Sequence, residues 1–438
     1  MEETVLKNRT LSQVAKKFFG SSFLKANLVV FVITNIGNVL SYFFQFVMSR
    51  LLTPHDYGTM NALLSLAFII SAPFAVIPTV MANFVARYAV QDKIKHIAYI
   101  TKRGFKLMGG VGITVFVIGT LLASPISDYL KIEGLVPIFI IIGQTAVGFL
   151  SPVLIGTLQG LRRFIPFSLS LSSFSSMRFF LGLLLVGALG LGLNGALLAG
   201  LLACAFPLLL GFVFLKDVFF LKINPVSSDV SSVFKEMLTY AIPVAFTWIS
   251  ITCLCNIDMV MVKHYFTAEE AGIYSVAVIM GRIAFYLSGA ILFVLFPTVS
   301  AEHAAGKDST RTLYMSLLFT CLVSGGIALV FSLFPDFSIK ILFGQKYLPA
   351  RNLLRIIVIS MMFLSFINVL ANYCLARKSY FFLIPMLLGV VLEPLVVHLA
   401  HVSLERVAFS VMILMITIFI SVVFSERLNR KYCKVSRK

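Results

Sequence analysis

Two arginines stand where a permanent charge is costly. Arg282 lies near the middle of the apolar stretch AGIYSVAVIMGRIAFYLSGAILFVLFP at 271–297, and Arg178 ends the serine-rich run SLSLSSFSSMR inside another apolar segment. A guanidinium stays charged and takes phosphate oxygens in bidentate fashion, so two of them in a low-dielectric space would suit an anion. A charge at the bilayer centre costs at least about 2.5–3.5 kcal/mol on insertion scales, which turns such residues toward an interior cavity.

The competing reading is neutralisation by an acid. Asp258 and Glu393 are the two mid-segment carboxylates, and Asp258 and Arg282 differ in depth by only about 5–6 Å at ~1.5 Å per residue. That admits an Arg282–Asp258 ion pair, one that releases Arg282 in part of a cycle, or no pair at all. Arg178 has no acid in its own segment, and a structural Arg178–Glu393 pair is the alternative there. Arg282 shares its helical face with Ser275, Tyr286 and Gly289, and Arg178 shares its face with Ser175 and Gly182. Asn35, Asn38 and Gln45 follow one face of the first segment, where they either bond sugar hydroxyls or join helices to one another.

The elements that must position these groups are set by composition. With 59% apolar and 12% charged residues and a mean hydropathy of +0.98, the chain reads as an integral membrane protein. Windows of about 20 apolar residues are long enough to cross the bilayer as helices, and they lack the ten-residue alternation of barrel strands. Twelve spans are expected near 27–50, 58–83, 105–124, 135–158, 166–190, 194–215, 236–263, 271–299, 312–334, 352–375, 380–402 and 406–426. The first 25 residues carry five basic residues but no short apolar core with a cleavage site, so the first span is its own insertion signal.

Lys and Arg between the spans set the orientation. Placing the N-terminus inside puts 26 of the 36 in inner tails and loops, 8 at outer positions and 2 within spans, namely Arg178 and Arg282. Both termini are therefore expected in the cytoplasm. The net charge of +18 then reflects basic residues facing anionic lipid headgroups rather than nucleic acid, for which no single basic domain exists.

A repeat divides the chain. LLTPHDYGTMNALL at 51–64 aligns with YFTAEEAGIYSVAV at 265–278, placing Thr53 over Thr267, Asp56 over Glu270 and Gly58 over Gly272, a shift of 214 residues. IPTV at 77–80 echoes FPTV at 296–299, and ASPISDYLKI at 123–132 answers LFPDFSIKIL at 333–342. A shift of six spans keeps orientation, so the halves are parallel repeats. The expected fold is all-α: two six-helix lobes around a central cavity, as in alternating-access transporters. The divisions are an N-terminal cytoplasmic tail 1–26, lobes 27–221 and 236–427, a cytoplasmic linker 222–235, and a basic cytoplasmic tail 428–438.

Other features read as structural. The six cysteines are scattered without a CxxC pair. His398, His401 and Glu405 share a face near an outer surface, a pattern more often uninvolved with metal than metal-binding, and no metal or other cofactor is expected. GALGLGLNGALLAG at 187–200 lacks the Lys-Ser/Thr ending of a phosphate loop and reads as a tight turn between packed helices. Pro73, Pro78, Pro243 and Pro394 are expected to break or kink their helices.

SRLLTPHDYGTMNALLSL and NIDMVMVKHYFTAEEAGIYSVAVIMGRI resemble the corresponding stretches of the polysaccharide (oligosaccharide) flippase family, in the multidrug, oligosaccharidyl-lipid and polysaccharide exporter superfamily. The resemblance covers the chain in span number and repeat layout. It implies translocation of polyprenyl-pyrophosphate oligosaccharides from inner to outer leaflet by rocking of the two bundles. With that function, the residues read above become candidate substrate contacts, Arg282, Arg178, Gln45, Asn38, Tyr286 and Ser275, with Asp258 and Glu393 as candidates for the gate or coupling. Polysaccharide polymerase and glycosyltransferases would be partners in the same membrane. A multidrug or cation antiporter is the first rival, but the first span holds no Asp or Glu for a cationic cargo. A polymerase, ligase or glycosyltransferase is the second. It needs an acid/base or metal site at the membrane surface, whereas the longest outer connection, 335–351, holds one acid, Asp336.

Overall fold

Every apolar window folds as helix in the computed structural model, which describes residues 22–221 and 229–435. Among the described residues there is no strand, and twelve helices are long and apolar enough to cross a membrane. Spans 1–6 are Val29–Leu51, Pro54–Val90, Ile94–Leu121, Val136–Gly160, Phe164–Ala188 and Gly192–Phe214. Spans 7–12 are Ala241–Tyr265, Ala268–Ala304, Thr310–Leu333, Gln345–Ala376, Leu383–Ala400 and Leu404–Arg427. The expected spans all form. Residues 1–21 of the expected N-terminal tail, part of the linker (222–228) and the last three residues lie outside the described residues.

Spans 1–6 and 7–12 each pack into a lobe. Span 1 leans on span 5 and span 3 on span 4 in the first lobe; span 10 packs on spans 8 and 12 in the second. The lobes meet chiefly where the first half of span 2 lies along span 8 and the end of span 7. This contact is at the end of the bundle carrying the turns after spans 1 and 7, termed here the hairpin face. The opposite end is the tail face.

The repeat has a physical basis. Thr53 accepts a hydrogen bond from the Asp56 amide at 3.1 Å, and Thr267 accepts one from the Glu270 amide at 3.3 Å while the Glu270 carboxylate accepts from the Thr267 amide at 3.0 Å. Both are helix N-caps, the second a full capping box, so Thr-x-x-Asp/Glu marks where spans 2 and 8 begin. Each of these spans then loosens at a matching depth, into 3₁₀ turns at Ala72–Phe74 and Gly289–Ile291. Pro73 lies in the first of these turns, whereas Pro243 and Pro394 sit inside continuous helix.

Two regions differ from the simple reading. The matched segments after spans 3 and 9 are eight-residue helices, Ala123–Leu130 and Pro335–Leu342, lying at the hairpin face. Span 7 is not one helix: it stops at Leu254 and restarts at Ile257. The glycine-rich turn between spans 5 and 6 forms with Gly190 and Gly192 at φ of +66° and +53°, conformations that favour glycine.

At the tail face, Arg163 fastens span 5 to the segment after span 6. It donates to both Asp217 carboxylate oxygens, at 2.9 Å for Oδ1, and to the Phe214 carbonyl. That charged hydrogen bond holds the Asp217 carboxyl below its ordinary range.

Candidate functional site

The break in span 7 explains the position of Arg282. Asn256 donates through Nδ2 to the Thr252 carbonyl at 2.8 Å, while its own amide turns to the Cys253 carbonyl at 2.9 Å. A side chain thus takes the acceptor that the helix would have used, the way Asn ends helices. The interrupted helix leaves carbonyls free, and Arg282 from span 8 donates to Cys255 O at 2.6 Å and Asn256 Oδ1 at 2.9 Å. A cation at a helix C-terminus is favourable. Two residues on, Asp258 occupies the first turn of Ile257–Tyr265, at the positive end of that short helix.

Arg282 and Asp258 do not form a direct ion pair. Asp258 is 2% exposed and accepts from Tyr274 Oη at 2.8 Å and the Met259 amide at 2.7 Å. Among the described residues no carboxylate lies within 4.0 Å of Arg282, and its Nε has no partner. The guanidinium is anchored by neutral acceptors and keeps its net charge.

Arg178 is freer still in bonding. It is 8% exposed, stacks over the Phe44 ring with 4.0 Å to the centroid, and makes no hydrogen bond among the described residues. Glu393 is 0% exposed with both carboxylate oxygens unbonded, so the Arg178–Glu393 pair does not form either. Glu393 lies instead in the second lobe, within electrostatic range of Asp258.

Arg178 of the first lobe and Arg282 of the second are both within electrostatic range of Tyr57, whose hydroxyl donates to Gln45 Oε1 at 3.1 Å. Tyr42, between Asn38 and Gln45 on the same face of span 1, lies near Arg282, Tyr286 and Cys255. Its hydroxyl is buried without a partner. Tyr286, one turn beyond Arg282 on span 8, is 57% exposed. Asn38 is exposed one turn nearer the tail face. Ser275, by contrast, is 1% exposed and donates to Ala271 O at 2.7 Å and toward Met259 Sδ at 3.3 Å; it joins span 8 to span 7 and is covered there.

The residues missed from sequence are Tyr42, Tyr57 and Asn256. Tyr42 fits the periodicity of Asn38 and Gln45, and Asn256 is two positions before Asp258, so both carried a readable signal. Tyr57 carried none apart from its place beside Gly58. His398 and His401 stack with Tyr265: His398 Nδ1 meets Tyr265 Oη at 2.7 Å, and the Tyr265 and His401 ring centroids are 4.5 Å apart. Glu405 accepts instead from Asn352 at 3.0 Å, away from that stack.

Each lobe thus holds one buried or half-buried arginine, Arg178 in the first and Arg282 in the second, without an acid partner among the described residues. A family model described as polysaccharide biosynthesis protein matches residues 47–352, and the chain belongs to that family. The chain is 24% identical over 424 residues to an uncharacterized membrane protein of Methanocaldococcus jannaschii, covering 91% of this chain and 97% of the relative. Its fold is similar to that of a multidrug resistance MATE family transporter of the MOP superfamily in an inward-facing conformation, at TM-score 0.76 and 13% identity over 94% of this chain and 99% of the other. It is also similar to the lipid II flippase MurJ in an inward closed conformation, at TM-score 0.66 and 14% identity over 90% and 87%. The chain is a multi-pass membrane protein that shares the twelve-helix fold of these two proteins.

Proposed function

We propose that the protein is a flippase for polyprenyl-pyrophosphate-linked oligosaccharides, moving them from the inner to the outer leaflet for cell-surface polysaccharide assembly. The observation that carries this reading is that each lobe holds one arginine within a span, Arg178 and Arg282, without an acid partner among the described residues. Two uncompensated cations in a low-dielectric cavity create a positive potential that attracts a diphosphate while the prenyl chain stays in lipid. Arg282 offers a free Nε to a phosphate oxygen, and Tyr286, Tyr42, Asn38 and Gln45 present hydroxyl and amide groups suited to sugars.

Because the arginines come from different lobes, a bound anion bridges them and favours the state in which the lobes draw together around it. Opening and closing at opposite faces then alternates access. Asp258 and Glu393, two neighbouring buried acids beside the span 7 break, are the candidate gate or coupling groups. The Lys and Arg bias supports a protein of the cell membrane with both termini in the cytoplasm, which makes the hairpin face the outer one. The inner face would then be the one that gives entry, next to anionic lipid headgroups and the glycosyltransferases that build the substrate; a polymerase would receive it outside.

A cation antiporter on the same fold is the second reading, favoured only by the likeness to the MATE transporter. Both readings are tested with purified protein in liposomes. A fluorescent polyprenyl-pyrophosphate oligosaccharide should become accessible at the opposite leaflet, and a fluorescent organic cation should not accumulate. The reverse pattern would replace the flippase by the antiporter.

A further inference from the structure

The hairpin face is closed by bonds in which basic side chains of one lobe cap helix ends of the other. Helix Ala123–Leu130 satisfies its carbonyls at Ser127 and Asp128 locally, through the amides of Ile132 and Lys131. Its last carbonyls are met from the other lobe: Lys263 donates to Leu130 O at 2.8 Å and to Lys131 O at 3.3 Å, and His264 Nδ1 donates to Tyr129 O at 2.7 Å. The His264 ring stacks on Tyr129, with 3.9 Å between centroids. Lys263 is 1% exposed, deep burial for a lysine, and its hydrogen-bond partners here are neutral carbonyls.

The matching helix of the second lobe is treated in the same way. Arg50, at the end of span 1, donates to Ile341 O near the end of Pro335–Leu342 at 2.5 Å. The repeat shift of 214 residues carries Arg50 onto His264 and Ser49 onto Lys263, so the two bonds are counterparts about the pseudo-two-fold axis. Lys346 adds a third cap, donating to Leu52 O at 2.6 Å at the end of span 1.

We propose that these reciprocal caps form the latch of the hairpin-face gate, with Lys263 and Arg50 as its two halves. Orphan carbonyls at a helix C-terminus carry partial negative charge, and each cation satisfies them only while the lobes touch. Separation of the lobes at this face breaks both sets together and leaves Lys263 without its partners. The latch therefore favours the closed state and acts as a two-sided switch. It involves none of the groups assigned to substrate and stands or falls apart from the flippase reading.

The test uses Ser49→Cys as reporter, since Ser49 is 0% exposed beside the latch. Full-length protein in sealed membranes is labelled from the hairpin side with a membrane-impermeant maleimide, against the parent chain with its own cysteines as blank. Lys263→Met in the reporter background should raise the labelling rate about tenfold, as expected for losing a hydrogen bond to a charged group. Arg50→Met should raise it too, and the double variant should exceed either. Arg50 is at the exposed rim, so its variant decides the matter even where Lys263→Met does not fold. Labelling at the parent rate in correctly folded Arg50→Met and Lys263→Met proteins would overturn the latch.

Discussion

Gly58 and Gly272 meet across the boundary between the lobes. A methyl group on Gly58 would lie 2.5 Å from the Gly272 amide nitrogen, and one on Gly272 would lie 2.1 Å from the Pro54 carbonyl oxygen. These residues are equivalents in the repeat, so their contact marks the pseudo-two-fold axis, and it lies in the same hairpin-face seam that the basic side chains close.

Replacing either glycine by alanine should pry the seam open. Neighbouring atoms are backbone and cannot rotate away, so overpacking of about 1–3 kcal/mol is set against the closed state. Gly58→Ala and Gly272→Ala should each increase accessibility at the hairpin face in a thiol-labelling measurement, while an alanine at Gly326, which has nothing within 4 Å, should not.

Arg178 and Arg282 should separate stability from transport. Arg282 caps a broken helix, so Arg282→Ala removes two hydrogen bonds and should lower thermal stability as well as flux. Arg178 makes no hydrogen bond among the described residues, and Arg178→Met keeps an apolar stem over Phe44. Its melting temperature should be unchanged or higher while flux falls by an order of magnitude. A large drop in melting temperature for Arg178→Met would make it a structural group.

Under the proposed function Glu393 is a coupling group that senses a cation or proton. Glu393→Gln is nearly isosteric and breaks no hydrogen bond. Flux in this variant should lose its response to imposed ion or pH gradients, measured in liposomes with defined gradients, while downhill movement persists. An unchanged response would remove Glu393 from coupling.

The Arg163–Asp217 clamp has a defined pH signature. Asp217 titrates lower when folded than when unfolded, so its stabilisation is present in full above the unfolded value of about 4 and is lost as pH falls through the folded value. The pair is partly solvent-exposed, with Asp217 at 55%, so its worth is at most about 1 kcal/mol. Asp217→Asn should lower the melting temperature slightly at pH 7, and the difference from the parent should vanish as pH falls through the folded value of Asp217.

Much of this arrangement was legible from sequence because bilayer length and hydropathy fix where helices lie. The twelve spans followed from apolar windows, and the repeat followed from Thr53/Thr267, Asp56/Glu270 and Gly58/Gly272, which persist because two helix caps and a close glycine contact leave little freedom. The break at Asn256 was not seen, since one polar residue in an apolar window disturbs hydropathy too little. Consequently the Arg282–Asp258 pair looked natural, whereas the structure gives Arg282 carbonyl partners that exist only because span 7 is interrupted. Ser275 shows the same limit: its spacing places it on the arginine's face, but helix packing against span 7 covers it. The cross-lobe caps by Lys263 and Arg50 depend on contacts about 130 and 290 residues apart, for which local pattern carries no signal.

The central claim is that the two unpaired arginines draw a diphosphate into the cavity. It is tested most directly by flipping of a fluorescent polyprenyl-pyrophosphate oligosaccharide in proteoliposomes, comparing parent, Arg282→Lys, Arg282→Ala, Arg178→Met and the Arg282→Lys/Arg178→Met double variant. The account predicts partial flux with Arg282→Lys, little with Arg282→Ala or Arg178→Met, and none in the double variant. Parent-level flux in Arg282→Ala and Arg178→Met, with both proteins folded, would contradict it.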